Sequence, residues 1–352
     1  MRGSVWDRVA LRWKGFELDK TEPIDIFKEL RAARKILILP NDRVGGIFIG
    51  APVYKIIRQC YPDAKIALFV DESKATIARQ IPFIDRVISG SLNSSIWGGS
   101  FKEMVDGLAA ETLDLVFCLG PDCSFRLAQL CEASGARLRI GFQREASSPF
   151  NVEIVRQSTD LYEGYQYLNM LKLLGLEGEG DVKWTIAPDL VQQIRGRYLD
   201  GDFAQNHVVG IDLVGGEGRG LSSRQFDDIV GRVIERGARA VLFFTLAERK
   251  QVNYLKEAYG NRALLFEQDD LAGVAALIEG CTALISCNTN LLHLAIAMGT
   301  PTVGIFDEDP ARWISDRDYK GRIVQNRDIR AISITNIFDA LEEVLKEGRT
   351  ER

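Results

Sequence analysis

Between Leu284 and Phe306 the chain reads Leu-Ile-Ser-Cys-Asn-Thr-Asn-Leu-Leu-His-Leu-Ala-Ile-Ala-Met-Gly-Thr-Pro-Thr-Val-Gly-Ile-Phe. The apolar run ending at Ser286 suits a buried parallel strand. Asn288 or Thr289 can cap the helix that follows, and Gly299 closes it. The amides of such a first turn, Thr289 to Leu291 here, point outward and attract phosphate together with the helix dipole. His293, one turn into the helix, comes within reach of the same anion or of a ribose hydroxyl. The blander reading of the same residues is an ordinary strand–helix–strand unit with a satisfied cap and a packed histidine. A second feature is the glycine loop Gly215-Gly-Glu-Gly-Arg-Gly220, which follows the apolar run 207–214. Its spacing misses the G-x-G-x-x-G dinucleotide pattern, which counts against a dehydrogenase or an epimerase.

These groups need a scaffold, and the hydrophobic pattern supplies one. Lys35-Ile-Leu-Ile-Leu-Pro40 is a buried-strand run, followed by the loop 41–46 and an apolar-periodic helix that proline stops at Tyr61-Pro62. The pattern then predicts strand 64–70, helix 73–80, strand 86–88, a Gly/Ser-rich loop 89–100, helix 101–111, strand 113–119, helix 125–134 and strand 138–142. A helix near 162–174 ends this half, and Gly175–Asp181 is the best linker. The plan repeats. Strands are expected at 207–214, 240–245, 263–266, 283–286 and 302–306. Helices are expected at 226–237, 248–259, 271–280 and 291–298, with a last one over 334–346. Alternation of this kind predicts right-handed crossovers and parallel sheets. The expectation is an α/β chain of two Rossmann-like domains, 1–178 (with 1–34 as an N-terminal extension) and 179–352. A ligand cleft is expected between them, at the carboxyl ends of the strands.

Composition narrows the class. The chain has 352 residues, enough for two domains, and 46% hydrophobic against 26% charged content is a globular balance. A net charge of -5 argues against a nucleic-acid binder. The six cysteines form no CxxC pair and mostly sit in apolar stretches, so buried free thiols are expected. With only two histidines, His207 and His293, no zinc site is expected, and no cofactor. No apolar run approaches a membrane span, and charges interrupt the N-terminus where a signal peptide needs an apolar core. A cytoplasmic location is the expectation. Trp6, Trp13 and Phe16, mixed with Arg2, Arg8, Arg12 and Lys14, leave two readings of the N-terminal extension. One is peripheral contact with the inner membrane face; the other is a tail packed on the protein.

The stretch 284–306 resembles the C-terminal signature of glycosyltransferase family 9, the heptosyltransferases: an Asp-Thr-Gly segment, a His, Leu-Ala-Ala-Ala-Leu-Gly-x-Pro and a strand ending in Phe. Asp270–Cys281 and Asp309-Pro-Ala-Arg-Trp313 are similar to the flanking elements. Lys35–Leu39, Ala51-Pro-Val-Tyr54, Tyr61-Pro-Asp-Ala-Lys-Ile66 and Ile84-Asp-Arg-Val-Ile88 follow the family's order in the N-terminal half. The resemblance covers about residues 35–315. It implies the GT-B architecture and an inverting transfer that needs no metal. The implied donor is a nucleotide sugar, typically ADP-heptose, bound by the C-terminal domain. The implied acceptor is a glycan or glycolipid of the lipopolysaccharide type, bound by the N-terminal domain.

Residue by residue, the resemblance places Arg219 where the family has a phosphate-binding Lys, taking Phe226 as the anchor, and an arginine there keeps the charge and adds bidentate geometry. Glu248 falls where the family carries an acid near the donor nucleoside; a first-turn helix residue is the equal alternative. Asn288 and Asn290 replace the Asp and Gly of the Asp-Thr-Gly segment. The family's catalytic Asp stands in a Gly-Asp pair six residues before the proline that matches Pro52, and that pair is Gly45-Gly46 here. Asp42 is the nearest replacement for the base on the same loop. Binding groups are thus better kept than catalytic ones, and a protein that binds a nucleotide sugar, or a protein partner, without transfer is the alternative.

Overall fold

The structure is a computed structural model that describes residues 23–41, 45–91, 99–120, 124–144, 148–158, 161–199, 201–214, 220–315 and 319–350. Two compact units divide between Val182 and Lys183. No helix among the described residues is long and apolar enough to cross a membrane.

The N-terminal unit is built on β1 (Lys35–Leu39), β2 (Lys65–Asp71), β3 (Arg86–Gly90), β4 (Leu115–Cys118), β5 (Leu138–Phe142) and β6 (Val152–Ile154). All pairs are parallel, in the order β3-β2-β1-β4-β5-β6. The central strand β1 pairs Ile36 with Ile66 on one side and with Leu115 on the other. Ile36 to Leu39 are wholly buried, as a strand covered by helices on both faces must be. Each such side chain contributes about 1.5–3 kcal/mol on burial.

The C-terminal unit repeats the topology with β7 (Val208–Asp212), β8 (Arg239–Phe244), β9 (Ala263–Glu267), β10 (Ala283–Cys287), β11 (Thr302–Phe306) and β12 (Gly321–Gln325). Their order is β12-β11-β10-β7-β8-β9, again all parallel. Helix Ser223–Glu235 shows why the crossovers are helical. Ser222 and Gln225 close a capping box at its start. Phe226, Ile229, Val230, Val233 and Ile234 then recur at helical spacing and are buried against the sheet. The C-terminal helix Ile334–Thr350 packs Ile337, Phe338, Leu341 and Val344 onto β11 and β12 in the same way.

Several expectations are corrected. Residues 73–80 hold a turn of 3-10 helix, Glu72–Lys74, and a short helix, Ala75–Ala78, rather than one continuous helix. The segment after the linker carries helix Pro188–Tyr198, which packs on helix Leu271–Gly280 and was not anticipated. Its missed signal was Pro188 at the first helical position. Strands β6 and β12 were also missed. Both are sheet edges with partly exposed residues, so neither carries a continuous apolar run. Cys118, Cys131, Cys281 and Cys287 are buried free thiols and Cys60 is half-buried, while Cys123 lies outside the described residues. The aromatic and basic residues of 1–20 also lie outside them.

Candidate functional site

In the C-terminal sheet the chain leaves β7 toward β8 and leaves β10 toward β11, in opposite directions from two adjacent strands. Ligands of doubly wound folds bind outside the carboxyl ends at such a switch point. Asp212 ends β7 there, only 1% exposed. Its Oδ2 accepts from the Thr289 hydroxyl at 2.5 Å and the Ser286 hydroxyl at 2.9 Å. Its Oδ1 accepts from Gln268 Nε2 at 2.9 Å and from the Val214 amide at 3.1 Å. Burial pushes the carboxyl up to about 6, and the four hydrogen bonds pull against that rise.

Above this carboxylate, Asn288, Thr289 and Asn290 are half-buried and lead into helix Asn290–Met298. Thr289 is the cap, and its hydroxyl accepts from the Leu291 amide at 3.2 Å. The Thr289 amide itself donates to the Cys287 carbonyl at 2.7 Å. The expectation that the Thr289 to Leu291 amides all face an anion is therefore corrected: those of Thr289 and Leu291 already serve the turn. Of the two readings of His293, the structure has the packed one. It is 3% exposed, its Nε2 lies 2.9 Å from Asn288 Oδ1, and its ring centroid is 6.3 Å from that of Trp313. Trp313 Nε1 donates to Glu308 at 2.8 Å. His293 thus fixes the Asn288 amide, and Asn288 is the one of the two at the rim.

Glu248 is half-buried just past β8. One carboxylate oxygen accepts from both the amide and the hydroxyl of Thr245, at 2.9 and 2.7 Å, in a capping box. That makes it a capping residue of the short turn Leu246–Glu248, with its carboxylate held at the carboxyl end of β8. Arg219 lies outside the described residues.

The N-terminal unit has its own switch point, between β1 and β4. Asn41, just past β1, donates to Glu163 Oε2 at 2.7 Å and to the Tyr167 hydroxyl at 3.2 Å, and Tyr167 donates to the same Glu163 oxygen at 2.7 Å. All three are buried. Burial and the Glu163 charge raise the Tyr167 phenol well above its usual range. Gly45 follows with φ of 73° and Gly46 opens a short helix. A Cβ on Gly46 would lie 2.1 Å from the Asn41 carbonyl oxygen. The position matching the family's base therefore has no room for any side chain on this backbone. Asp42, the proposed replacement, lies outside the described residues.

Asp212 and Glu163 were both missed in the sequence. Asp212 left a faint signal, as the one charge in the apolar run Val208–Asp212. Glu163 left none, because its partner Asn41 is 122 residues away.

The sequence model of glycosyltransferase family 9 (heptosyltransferase) matches residues 222–330. A Haemophilus influenzae protein named as a candidate glycosyltransferase is 22% identical over 306 residues, covering 81% of this chain and 87% of its own. Among solved structures, the family 9 glycosyl transferase of Veillonella parvula superposes with a TM-score of 0.75 at 18% identity, over 89% of this chain and 97% of that one. The ADP-heptose heptosyltransferase II of E. coli gives 0.72 at 16% identity, over 90% and 99%. At such identities the structural likeness is one of fold. The family 9 sequence model thus matches a segment of the C-terminal unit, and the chain as a whole shares the fold of these glycosyltransferase structures.

Proposed function

We propose that the chain is an inverting, metal-independent glycosyltransferase. It takes a sugar, a heptose in the first instance, from a nucleotide-sugar donor held by the C-terminal unit. The acceptor is a glycan or glycolipid of the surface-polysaccharide type, taken by the N-terminal unit. One observation carries the reading: the matched residues 222–330 contain the turn Asn288–Asn290 at the switch point of the C-terminal sheet, organised from beneath by Ser286 and Asp212. ADP is the first nucleotide to test, because the E. coli relative of the same fold is named for ADP-heptose.

The chemistry asks for two things. A base must take the acceptor hydroxyl proton as its oxygen attacks the anomeric carbon, while the bond from that carbon to the diphosphate breaks. Positive groups and oriented amides must take the charge that develops on the departing diphosphate. Arg219 is the proposed cation. Asn288 and Asn290 are the proposed rim contacts to donor oxygens, with Thr289 and His293 setting their positions. Glu248, fixed at the carboxyl end of β8, is the proposed partner of the donor nucleoside. Asp42 is the proposed base.

A thermal-shift panel of ADP-, GDP-, UDP- and dTDP-sugars tests the binding claim. A ligand at 100 times its Kd stabilises the native state by about 2.7 kcal/mol, so the true donor raises Tm measurably. If no sugar nucleotide moves Tm, the reading fails. Transfer is tested by following donor turnover in the wild type and in Asp42→Ala, which should abolish it.

The second reading is binding without transfer. The closed surroundings of Gly46 favour it, since the family's base has no counterpart there. A bound donor that is neither transferred nor hydrolysed, whatever the acceptor, would establish this reading.

A further inference from the structure

We infer that Asp212 is the positioning residue of the donor site, joining the segments that leave β7, β9 and β10 so that they meet a diphosphate in fixed register. The inference rests on the C-terminal unit holding the donor.

Its four donors come from three separate strand ends. The Val214 amide belongs to the backbone leaving β7. Gln268 follows β9. Ser286 lies within β10, and Thr289 begins the helix after it. Both carboxylate oxygens are used twice, and the residue is buried at 1% exposure, so it acts through these groups and not on ligand. Thr289 shows how the action passes outward. Its hydroxyl has one hydrogen, given to Asp212, which leaves the oxygen lone pairs turned to the Leu291 amide. The carboxylate therefore selects the rotamer that caps the helix, and with it the backbone path of Asn288 to Asn290.

The carboxylate also stands on the same side of the sheet as the anion it helps to bind, at its carboxyl end. A buried negative charge there opposes a diphosphate. Its presence is understandable as geometry: only a carboxylate accepts from four donors at once, two on each oxygen. An asparagine in its place would keep one acceptor oxygen for Val214 and Gln268. Its NH2 would face the Ser286 and Thr289 hydroxyls, which can turn to accept. Thr289 would then lose its fixed rotamer while the fold survives.

The test uses the full chain with inorganic pyrophosphate, ADP, UDP and the matching nucleosides adenosine and uridine, titrated calorimetrically against wild type, Asp212→Asn, Thr289→Ser and Thr289→Val. Wild type binding none of the diphosphates would sink the donor-site reading itself. Given wild-type binding, Asp212→Asn should weaken pyrophosphate and the nucleoside diphosphate about tenfold and leave nucleoside affinity unchanged. Thr289→Ser, which keeps the hydroxyl, should bind like wild type, and Thr289→Val should follow Asp212→Asn. Equal diphosphate affinity in Asp212→Asn, or an equal loss for nucleoside and diphosphate, overturns the inference. The second result would mean that Asp212 serves only the stability of the sheet.

Discussion

The buried carboxyl of Asp212 makes the stability of the C-terminal unit depend on pH in a direction opposite to that of an ordinary paired carboxylate. Burial raises it from 3.8 to about 6 in the folded chain. Between those values the folded state holds a proton that the unfolded state has released, so stability falls as pH rises through this range. The cost is complete above pH 6 and disappears below pH 3.8. Its full size is about 3 kcal/mol, because each tenfold change in proton affinity is worth about 1.36 kcal/mol. Between pH 7.5 and pH 5 the wild type should gain about 1.4 kcal/mol from this group, or roughly tenfold in the opening equilibrium. Other groups titrate too, and Asp212→Asn supplies the reference in which this one does not. Hydrogen exchange of peptides covering β7 and β10 in the full chain reads the opening of this unit directly. Taking wild type minus Asp212→Asn at each pH cancels the intrinsic exchange rates. The difference should move by about 1.4 kcal/mol in favour of wild type on going from pH 7.5 to 5. A flat difference would show that the carboxyl does not titrate there. A difference of opposite sign would show that its four hydrogen bonds outweigh its desolvation.

Three further outcomes are expected. Thr289→Val removes the helix cap and one donor to Asp212, and should cost about 1–2 kcal/mol in urea unfolding. Glu163→Ala strips the acceptor from buried Asn41 and Tyr167, and should cost about 2–4 kcal/mol, whereas Glu163→Gln keeps an uncharged oxygen for both, which share Oε2, and should lose less; equal losses would argue against hydrogen bonding as the cause. Restoring the family's acid with Gly46→Asp should lower Tm and leave transfer no faster, because its Cβ meets the Asn41 carbonyl oxygen; overpacking of this kind costs about 1–3 kcal/mol, and faster donor turnover in that variant would show that the loop opens readily.

The strands at the centre of each sheet were legible because they are buried on both faces: Ile36 to Leu39 and Leu284 to Cys287 are continuous apolar or small-residue runs. The edge strands β6 and β12 were not, since one flank of an edge faces solvent and polar residues such as Glu153 and Arg322 interrupt the pattern. Within the candidate site, a helix cap at Asn288 or Thr289 was legible and the structure has Thr289, whereas the part played by His293 was not legible. A histidine one turn into a helix reads the same whether its ring points out or, as here, back to Asn288 and in beside Trp313.

The chain alone determined what short-range geometry controls: two successive strand–helix alternations, and caps such as Ser222 with Gln225 and Asp270 with Gly273, whose partners lie three residues apart. Tertiary structure decided the rest. Asp212 meets Gln268, Ser286 and Thr289 across 56, 74 and 77 residues because parallel pairing gathers the carboxyl ends of separate strands at one edge. No local pattern encodes that gathering, nor the carbonyl of Asn41 that closes the space over Gly46.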